Sequence, residues 1–307
     1  MFKIAVQTGG LEEPLGIDGA YRLIKEAGFD GVDANIDHTL SFGAIMEKKL
    51  PAFYLKGADE RDVTEAVKPW GDAAKKYGLE NYQAHAPFPS LHYTDVNDPE
   101  FDDALVEMLR RSVIAAASID CHNLIIHPFF RDYDHRMDPE TEWRENIDRY
   151  SRLAPTAKEY GVTINLENMF MNHKGKIYGA ICNDGVMAAK YVDALNEAAG
   201  AKCFGFCLDT GHALLASRDI RQFMRDLGDR LTCFHVHDND GADDLHRAPY
   251  SGKLDWDSFM EGLKEIRFDR TLSFETFNAC NAVDPELLPE TLRFIAACGR
   301  MFARRAE

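Results

Sequence analysis

The segment FGFCLDTGHALL, residues 204–215, poses the question that decides the fold. Phe204 to Leu208 is an apolar, sulfur-bearing run that ends on a carboxylate, Asp209, and His212 follows after a Thr210-Gly211 turn. A short apolar run closed by turn residues reads as a buried strand. The acid at its end is either a cap or one of several groups gathered to hold something, and this segment alone leaves both readings open.

The same event recurs along the chain. Strand-like runs at 3–8, 31–35, 81–86, 123–128, 162–168, 231–238 and 271–276 join 204–209 to make eight. Between them lie stretches of helical spacing at 19–27, 60–77, 102–118, 141–160, 185–197, 218–227 and 256–266, with a last helix at 289–304. Several of these end in AGF, YGL or YGV, where glycine stops a helix in a left-handed conformation before the next strand. Eight strand-helix units in 307 residues predict an α/β fold, a (β/α)8 TIM barrel formed as a single domain over 1–307. An open doubly wound sheet is the alternative. Its nucleotide-binding form needs a glycine fingerprint or a phosphate-loop lysine, and QTGGLEEPLG (7–16) has neither. The long connections 36–59, 87–100, 129–140, 169–183 and 239–254 all leave the C-terminal ends of strands, where a barrel builds its active site.

Composition narrows the function classes. A content of 45% hydrophobic and 28% charged residues fits a soluble globular chain, and no apolar run reaches membrane-spanning length. The N-terminal MFKIAVQTGG passes from Met directly into strand-like sequence without the marks of a secretory signal, so a cytoplasmic location is expected. Seven cysteines with no C-x-x-C spacing predict buried, reduced thiols. Thirty-five Lys and Arg against fifty-one Asp and Glu give a formal charge of −16, which repels a phosphate backbone, and no dense basic run offsets it. Nucleic acid is therefore not the expected partner. A small molecule is, and an apolar barrel surface would suit a homodimer or homotetramer.

The strand ends carry the chemistry. His85, His127, Glu167, Asp209 and Glu275 end strand-like runs three, four, five, six and eight, while His235 and His237 lie in the seventh. A barrel brings all of them to one mouth. Carboxylates among apolar neighbours are costly unless a cation compensates them. Glu167, Asp209, His235 and Glu275 form a three-carboxylate, one-imidazole set suited to a divalent ion, Mn2+ or Zn2+ first, with Mg2+ or Co2+ also compatible. Asp238 is a candidate to orient His235, and His237 and His212 are candidates to meet substrate. His85 and His127 add nitrogen donors across the mouth, as further substrate contacts or as ligands of an additional metal. In DNDGADDLHRAPYSGKLDW (238–256), Asp240 and Asp243 read as a solvated loop, Asp244 and His246 as further metal donors, and Arg247 as a contact for a substrate hydroxyl or phosphate. Asp255 reads as a helix cap. The aromatic residues Phe42, Phe53, Tyr54, Phe88, Phe129, Phe130, Phe170 and Phe277, together with Met169, supply packing or a sugar-binding wall.

In that order, NLENM, CLDTGH, FHVHDND, DLH followed by SGKLDW, and the final FE resemble the xylose-isomerase-like barrel superfamily of sugar isomerases and epimerases over nearly the whole chain. Resemblance to its ketose 3-epimerases implies one divalent metal on Glu167, Asp209, His235 and Glu275, with Glu167 and Glu275 as the acid-base pair. It implies His212 beside a sugar or sugar phosphate, with reaction through a cis-enediolate. An inosose dehydratase-like lyase uses the same scaffold. So does a zinc-dependent abasic-site DNA endonuclease, whose trinuclear ligand set is resembled by His85, His127, Glu167, Asp209, His212, His235, Asp244, His246 and Glu275 taken together.

Overall fold

A computed structural model of the chain describes residues 2–89, 98–130 and 136–306. The first half runs β1 (Ile4–Gln7), α1 (Glu12–Ala27), β2 (Gly31–Ala34), α2 (Phe42–Met46), α3 (Glu60–Tyr77), β3 (Glu80–His85), α4 (Pro99–Ser118), β4 (Asn123–Ile125) and α5 (Pro139–Tyr160). Then come β5 (Thr163–Glu167), β6 (Phe170–His173), β7 (Lys176–Gly179), α6 (Gly185–Ala199), β8 (Phe204–Asp209), α7 (Thr210–Leu215) and α8 (Ile220–Leu227). The chain finishes with β9 (Leu231–His235), α9 (Trp256–Glu265), β10 (Leu272–Phe274), α10 (Phe277–Asn281) and α11 (Leu288–Arg305).

Eight parallel strands pair in the order β10-β1-β2-β3-β4-β5-β8-β9. A parallel bridge between Val236 and Phe274 joins the two ends of this row, with the Val236 N–H donating to the Ser273 carbonyl at 2.9 Å and the Glu275 N–H to the Val236 carbonyl at 3.1 Å. The sheet therefore closes into a TIM barrel, and the open-sheet alternative falls. All eight strands stand where the apolar runs predict them. The fourth, seventh and eighth are shorter than read, ending at Ile125, His235 and Phe274 rather than at Pro128, Asp238 and Thr276.

Helices surround the barrel with their apolar faces inward. Phe302 of α11 stacks on Trp256 of α9 at 5.1 Å and meets Phe274 of β10 at 6.3 Å. Each such fully buried side chain contributes about 1.5–3 kcal/mol relative to exposure. Part of the acidic excess serves to start helices. Asp98, Asp138, Asp184, Asp219 and Asp255 each accept a backbone N–H from the first turn of the helix they precede, a cap worth about 1 kcal/mol apiece. At the other ends, Gly78 and Gly161 take φ of 61° and 65°, as the YGL and YGV motifs predict. The seven cysteines are buried and free. No described helix is long and apolar enough to cross a membrane.

Three local features differ from the sequence reading. The first helix begins at Glu12, continuing across a kink where Gly16 has φ 66° and ψ 166°, rather than at residue 19. The connection 169–183 contains an antiparallel hairpin, β6 paired with β7. Thr210-Gly211 is not a turn but the start of α7, because Asp209 accepts the His212 N–H at 2.6 Å and nucleates a helix at the strand end. Parts of loops 87–100 and 129–140, at 90–97 and 131–135, lie outside the described residues.

Gly211 is required by close approach, since a Cβ there would overlap the His237 imidazole. Gly211→Ala is expected to lower unfolding free energy by about 1–3 kcal/mol in urea denaturation, the usual cost of overpacking a core. Gly43→Ala in α2, where a Cβ meets open space, should be neutral within error or slightly stabilising. Equal melts for the two variants would show that the His237 ring has room to move.

Candidate metal centre

The floor of the mouth is made by the last four barrel strands. Glu167 ends β5, Asp209 ends β8, His235 ends β9 and Glu275 follows β10. Their exposures are 1%, 0%, 0% and 7%. One ligand atom from each lies within 4.8 Å of all the others. His235 Nδ1 stands 3.0 Å from Glu167 Oε1 and 3.5 Å from Glu275 Oε2. Three carboxylates and one imidazole, buried at a single point, are a donor set that fits a divalent ion of borderline or hard character.

The backbone around these groups is fixed by side chains. Asn168 grips Asp209 on both sides, accepting its N–H at 2.8 Å and donating to its carbonyl at 2.9 Å. Gln7 of β1 donates to Glu275 Oε1 at 3.0 Å. Asp33 of β2 accepts from His235 Nε2 at 3.1 Å. Asp238 does not orient His235. Its carboxylate accepts the backbone N–H groups of Asn239, Gly252 and Leu254 and the Trp256 indole N–H, at 2.9–3.2 Å, and so clasps the returning loop to the barrel rim.

Two further donor groups flank the floor. His85 Nδ1 donates to the carbonyl of Ala86 at 2.7 Å, which leaves Nε2 facing His127 Nε2 at 3.0 Å. Glu167 Oε2 lies 3.2 Å from His127 Nε2 and 3.9 Å from His85 Nε2. On the other side, Asp244 Oδ2 lies 2.9 Å from His246 Nε2 and 3.4 Å from His212 Nε2, and His246 stacks on His237 at 4.1 Å. His237, Asp244 and His246 group as a third potential ligand set.

Charge accounts for the titration shifts. Burial opposes a charged His212, yet Asp209, Asp244 and Glu167 outweigh it and push its pKa up to about 10. His235 and His246 are also raised well above the usual imidazole value: burial opposes this, but Cys207, Glu275 and Glu167 prevail at the first, and Glu275 and Asp244 at the second. Glu167 is held well below the usual carboxylate range because His235 and His127 outweigh its burial. His85 goes the other way, down to about 4, through burial and then the neighbouring His127. Imidazolium protons thus supply the positive charge that these carboxylates demand, and a cation at the floor would replace them.

Above the floor opens a cavity of about 750 Å3. His85, His127, Glu167, His212, Asp244, His246 and Glu275 line it, as do Phe88, Met169, Phe170 and Phe277 from the aromatic set. Tyr54 and Phe129 belong instead to the core. The structure does not bring Arg247 to the cavity. Its side chain is exposed, and its backbone is paired with Asp238 in both directions, at 2.9 and 3.0 Å. Nor does His237 line it. Fully buried, His237 directs Nε2 onto Asp209 at 3.0 Å, which makes it a neighbour of the centre rather than a substrate contact. Asp33, Gln7 and Asn168 escaped the sequence reading. A lone carboxylate inside the apolar run GVDAN was the available signal for Asp33.

Comparison with known proteins agrees with the barrel fold. The family model described as xylose isomerase-like TIM barrel matches residues 21–298, and the chain belongs to that family. Among relatives, the uncharacterized protein MJ1311 of Methanocaldococcus jannaschii is 28% identical over 69% of this chain and 70% of that one. The ketose 3-epimerase of Arthrobacter globiformis is 25% identical over 89% of this chain and 81% of that one. Among solved structures, the IOLI protein with a bound zinc atom superposes with a TM-score of 0.70 at 18% identity, covering 97% of each chain.

The imidazole shifts predict how the metal-free protein responds to pH. A folded pKa of about 10 for His212, above its ordinary 6.5, is stability fully present below about pH 6.5 and lost as pH rises through 10. Melting temperatures of chelator-treated protein should therefore fall between pH 6.5 and 10. Protein loaded with a divalent ion should melt higher and hold its value over the same range. A flat metal-free profile would contradict the imidazolium-carboxylate pairing.

Proposed function

We propose that this member of the xylose isomerase-like family is a divalent-metal-dependent isomerase or epimerase acting on a free ketose or related polyol. The observation that carries the reading is the buried set Glu167, Asp209, His235 and Glu275 at the floor of an aromatic-walled cavity. The similarity to ketose 3-epimerases supports it. A divalent ion on these four residues, Mn2+ or Zn2+ by donor type, supplies Lewis acidity towards a carbonyl oxygen.

The remaining work falls to side chains. Glu167 and Glu275 keep depressed pKa values, with burial outweighed by His235 and His127 at Glu167 and by His235 and His246 at Glu275. Both are therefore ionised near neutral pH, and one takes the proton from the carbon beside the carbonyl. The other, protonated from solvent, delivers that proton to the opposite face, while the first then returns its own to solvent; alternatively the first carboxylate passes the abstracted proton to the neighbouring carbon. The first outcome is epimerisation and the second isomerisation. His212 and His246, both on the cavity wall, are placed to hold substrate hydroxyls, while Phe88, Phe170 and Phe277 cover the apolar faces of the sugar and limit water.

The charge of the cavity favours a free sugar over a sugar phosphate. Among its described lining residues, Glu12, Glu13, Asp37, Glu167, Asp244 and Glu275 are acidic, and none is Lys or Arg. A phosphate there would meet no guanidinium or ammonium among these residues, and the imidazoliums of His212 and His246 are already paired with Asp244.

One observation favours a second reading. The groups His85-His127-Glu167 and His237-Asp244-His246 beside the four-residue floor suit two further ions and a metal-assisted phosphodiester cleavage at abasic DNA. Against it stand the net charge of −16, which repels a phosphate backbone, and the lack of Lys or Arg among the described residues that line the cavity. An inosose dehydratase-like lyase shares the first proton abstraction and differs in expelling a hydroxyl afterwards.

Substrate C–H exchange with deuterated water, followed by NMR across a ketose panel, tests the main reading. Glu167→Gln and Glu275→Gln, each checked for metal occupancy, should slow exchange by about 100-fold or more, the scale of general acid-base catalysis. Asp243→Asn in the exposed loop should stay within about twofold of the parent. Absence of exchange in metal-loaded protein for every ketose would overturn the proposal. Metal content provides the companion prediction: one tightly held ion per chain is expected, whereas three ions together with cleavage of an abasic duplex would establish the second reading.

A further inference from the structure

We infer that Asp33 is a positioning residue for the metal centre, one that fixes the tautomer and ring plane of His235 from beneath. The inference rests on the metal-centre reading and adds a residue from β2, a strand that contributes none of the four floor groups.

Asp33 stands opposite Gln83 in the β2–β3 register and is fully buried. Its Oδ2 accepts from His235 Nε2 at 3.1 Å and from Gln83 Nε2 at 2.7 Å. A carboxylate only accepts, so Nε2 of His235 must carry the proton. Nδ1, at the other edge of the ring, faces Glu167 Oε1 at 3.0 Å and Glu275 Oε2 at 3.5 Å. The atom aimed at the floor is therefore the one that a metal would take. Gln83 secures the carboxylate in turn, because the same amide nitrogen also donates to the Phe234 carbonyl at 3.1 Å. The relay begins and ends on β9, since Phe234 and His235 are consecutive.

A purely structural explanation accounts poorly for this acid. Among the described residues Asp33 has no Lys or Arg partner, His235 is its ion pair, and its Oδ1 has no hydrogen-bond partner. Burying a carboxylate on such terms is expensive for a barrel interior, and an amide or apolar side chain costs the fold less. The return is an imidazole held in one orientation and made a stronger donor, which is how carboxylates behind metal-bound histidines act.

The experiment measures binding rather than turnover. Metal-depleted protein is titrated with Zn2+ against a competing fluorescent chelator, and with Co2+ while its visible absorption is recorded. Asp33→Ala should weaken the tightest Zn2+ site about 10- to 100-fold and alter the Co2+ bands. Asp33→Asn, which keeps the volume and an accepting oxygen, should weaken it less and serves if the alanine variant fails to fold. Asn81→Ala is the stability control. Asn81 is comparably buried on β3 and bonded to the Tyr21 hydroxyl at 2.7 Å, so its loss should lower the melting temperature and leave both metal readouts unchanged. If both Asp33 variants bind Zn2+ within twofold of wild type with the same Co2+ spectrum, the inference is overturned and the metal centre stands. If wild type binds neither ion, both fall together.

Discussion

Three carboxylates buried at one point, with no lysine or arginine among the described residues that line the cavity above them, are the constraint on which the rest of this site depends. Like charges in a low-dielectric interior do not coexist unless positive charge is supplied. In the metal-free chain it comes from protonated imidazoles, which is why His212, His235 and His246 are all raised while Glu167 and Glu275 are lowered. A divalent ion supplies the same charge without protons. Metal binding and proton release are then one equilibrium.

Holding such a set in place takes more of the barrel than its four residues. Asp209 is committed three times over, as cap of α7 through the His212 N–H, as partner of His237, and through the Asn168 grip on its backbone. Thr210 adds a reciprocal bond with the backbone of His237, accepting its N–H at 3.0 Å and donating to its carbonyl at 2.7 Å. These bonds couple the strand ends of β8 and β9 directly. Asp238 performs the corresponding service for the loop, so that Asp244 and His246 return to the mouth on a clasped backbone rather than a free one. Rigidity at this level is what the proposed proton transfer requires, since a shift of about 1 Å at the reacting atoms costs on the order of 100-fold in rate.

The fold was legible because its signal is repetitive. Eight apolar runs with helical spacing between them leave few closed architectures, and glycine at the YGL and YGV junctions marks helix ends by a backbone requirement independent of tertiary context. Glu167, Asp209, His235 and Glu275 were legible for a related reason, because a polar residue at the end of a buried strand has one place to go in a barrel. What stayed hidden depends on direction rather than position. Asp238 and Asp33 are both acids near strand ends, and adjacency favoured Asp238 as the partner of His235, but the chain turns after His235 and points Asp238 at the loop. Asp33 is 202 residues away in sequence, on a strand separated from β9 by both β1 and β10, yet meets the ring across the interior. Arg247 failed likewise, its backbone pairing with Asp238 leaving the side chain outside.

His212 shows how one residue answers to two chemistries. Its ring nitrogens are divided between the Asn168 carbonyl, at 2.8 Å from Nδ1, and Asp244 Oδ2, at 3.4 Å from Nε2, while Phe170 lies against its face at 4.9 Å. The Asn168 carbonyl accepts only, so Nδ1 carries a proton and Nε2 is the atom that faces the cavity side. Bonded to Asp244 it also carries a proton, and the charged ring then donates from both edges. An ion held by Asp244 and His246 would require that proton to leave, and the same atom would then be free to serve as a ligand. An ion at the floor would take charge from Asp209 and Glu167, two of the three carboxylates that hold this imidazolium, and so would draw its pKa back towards the ordinary value.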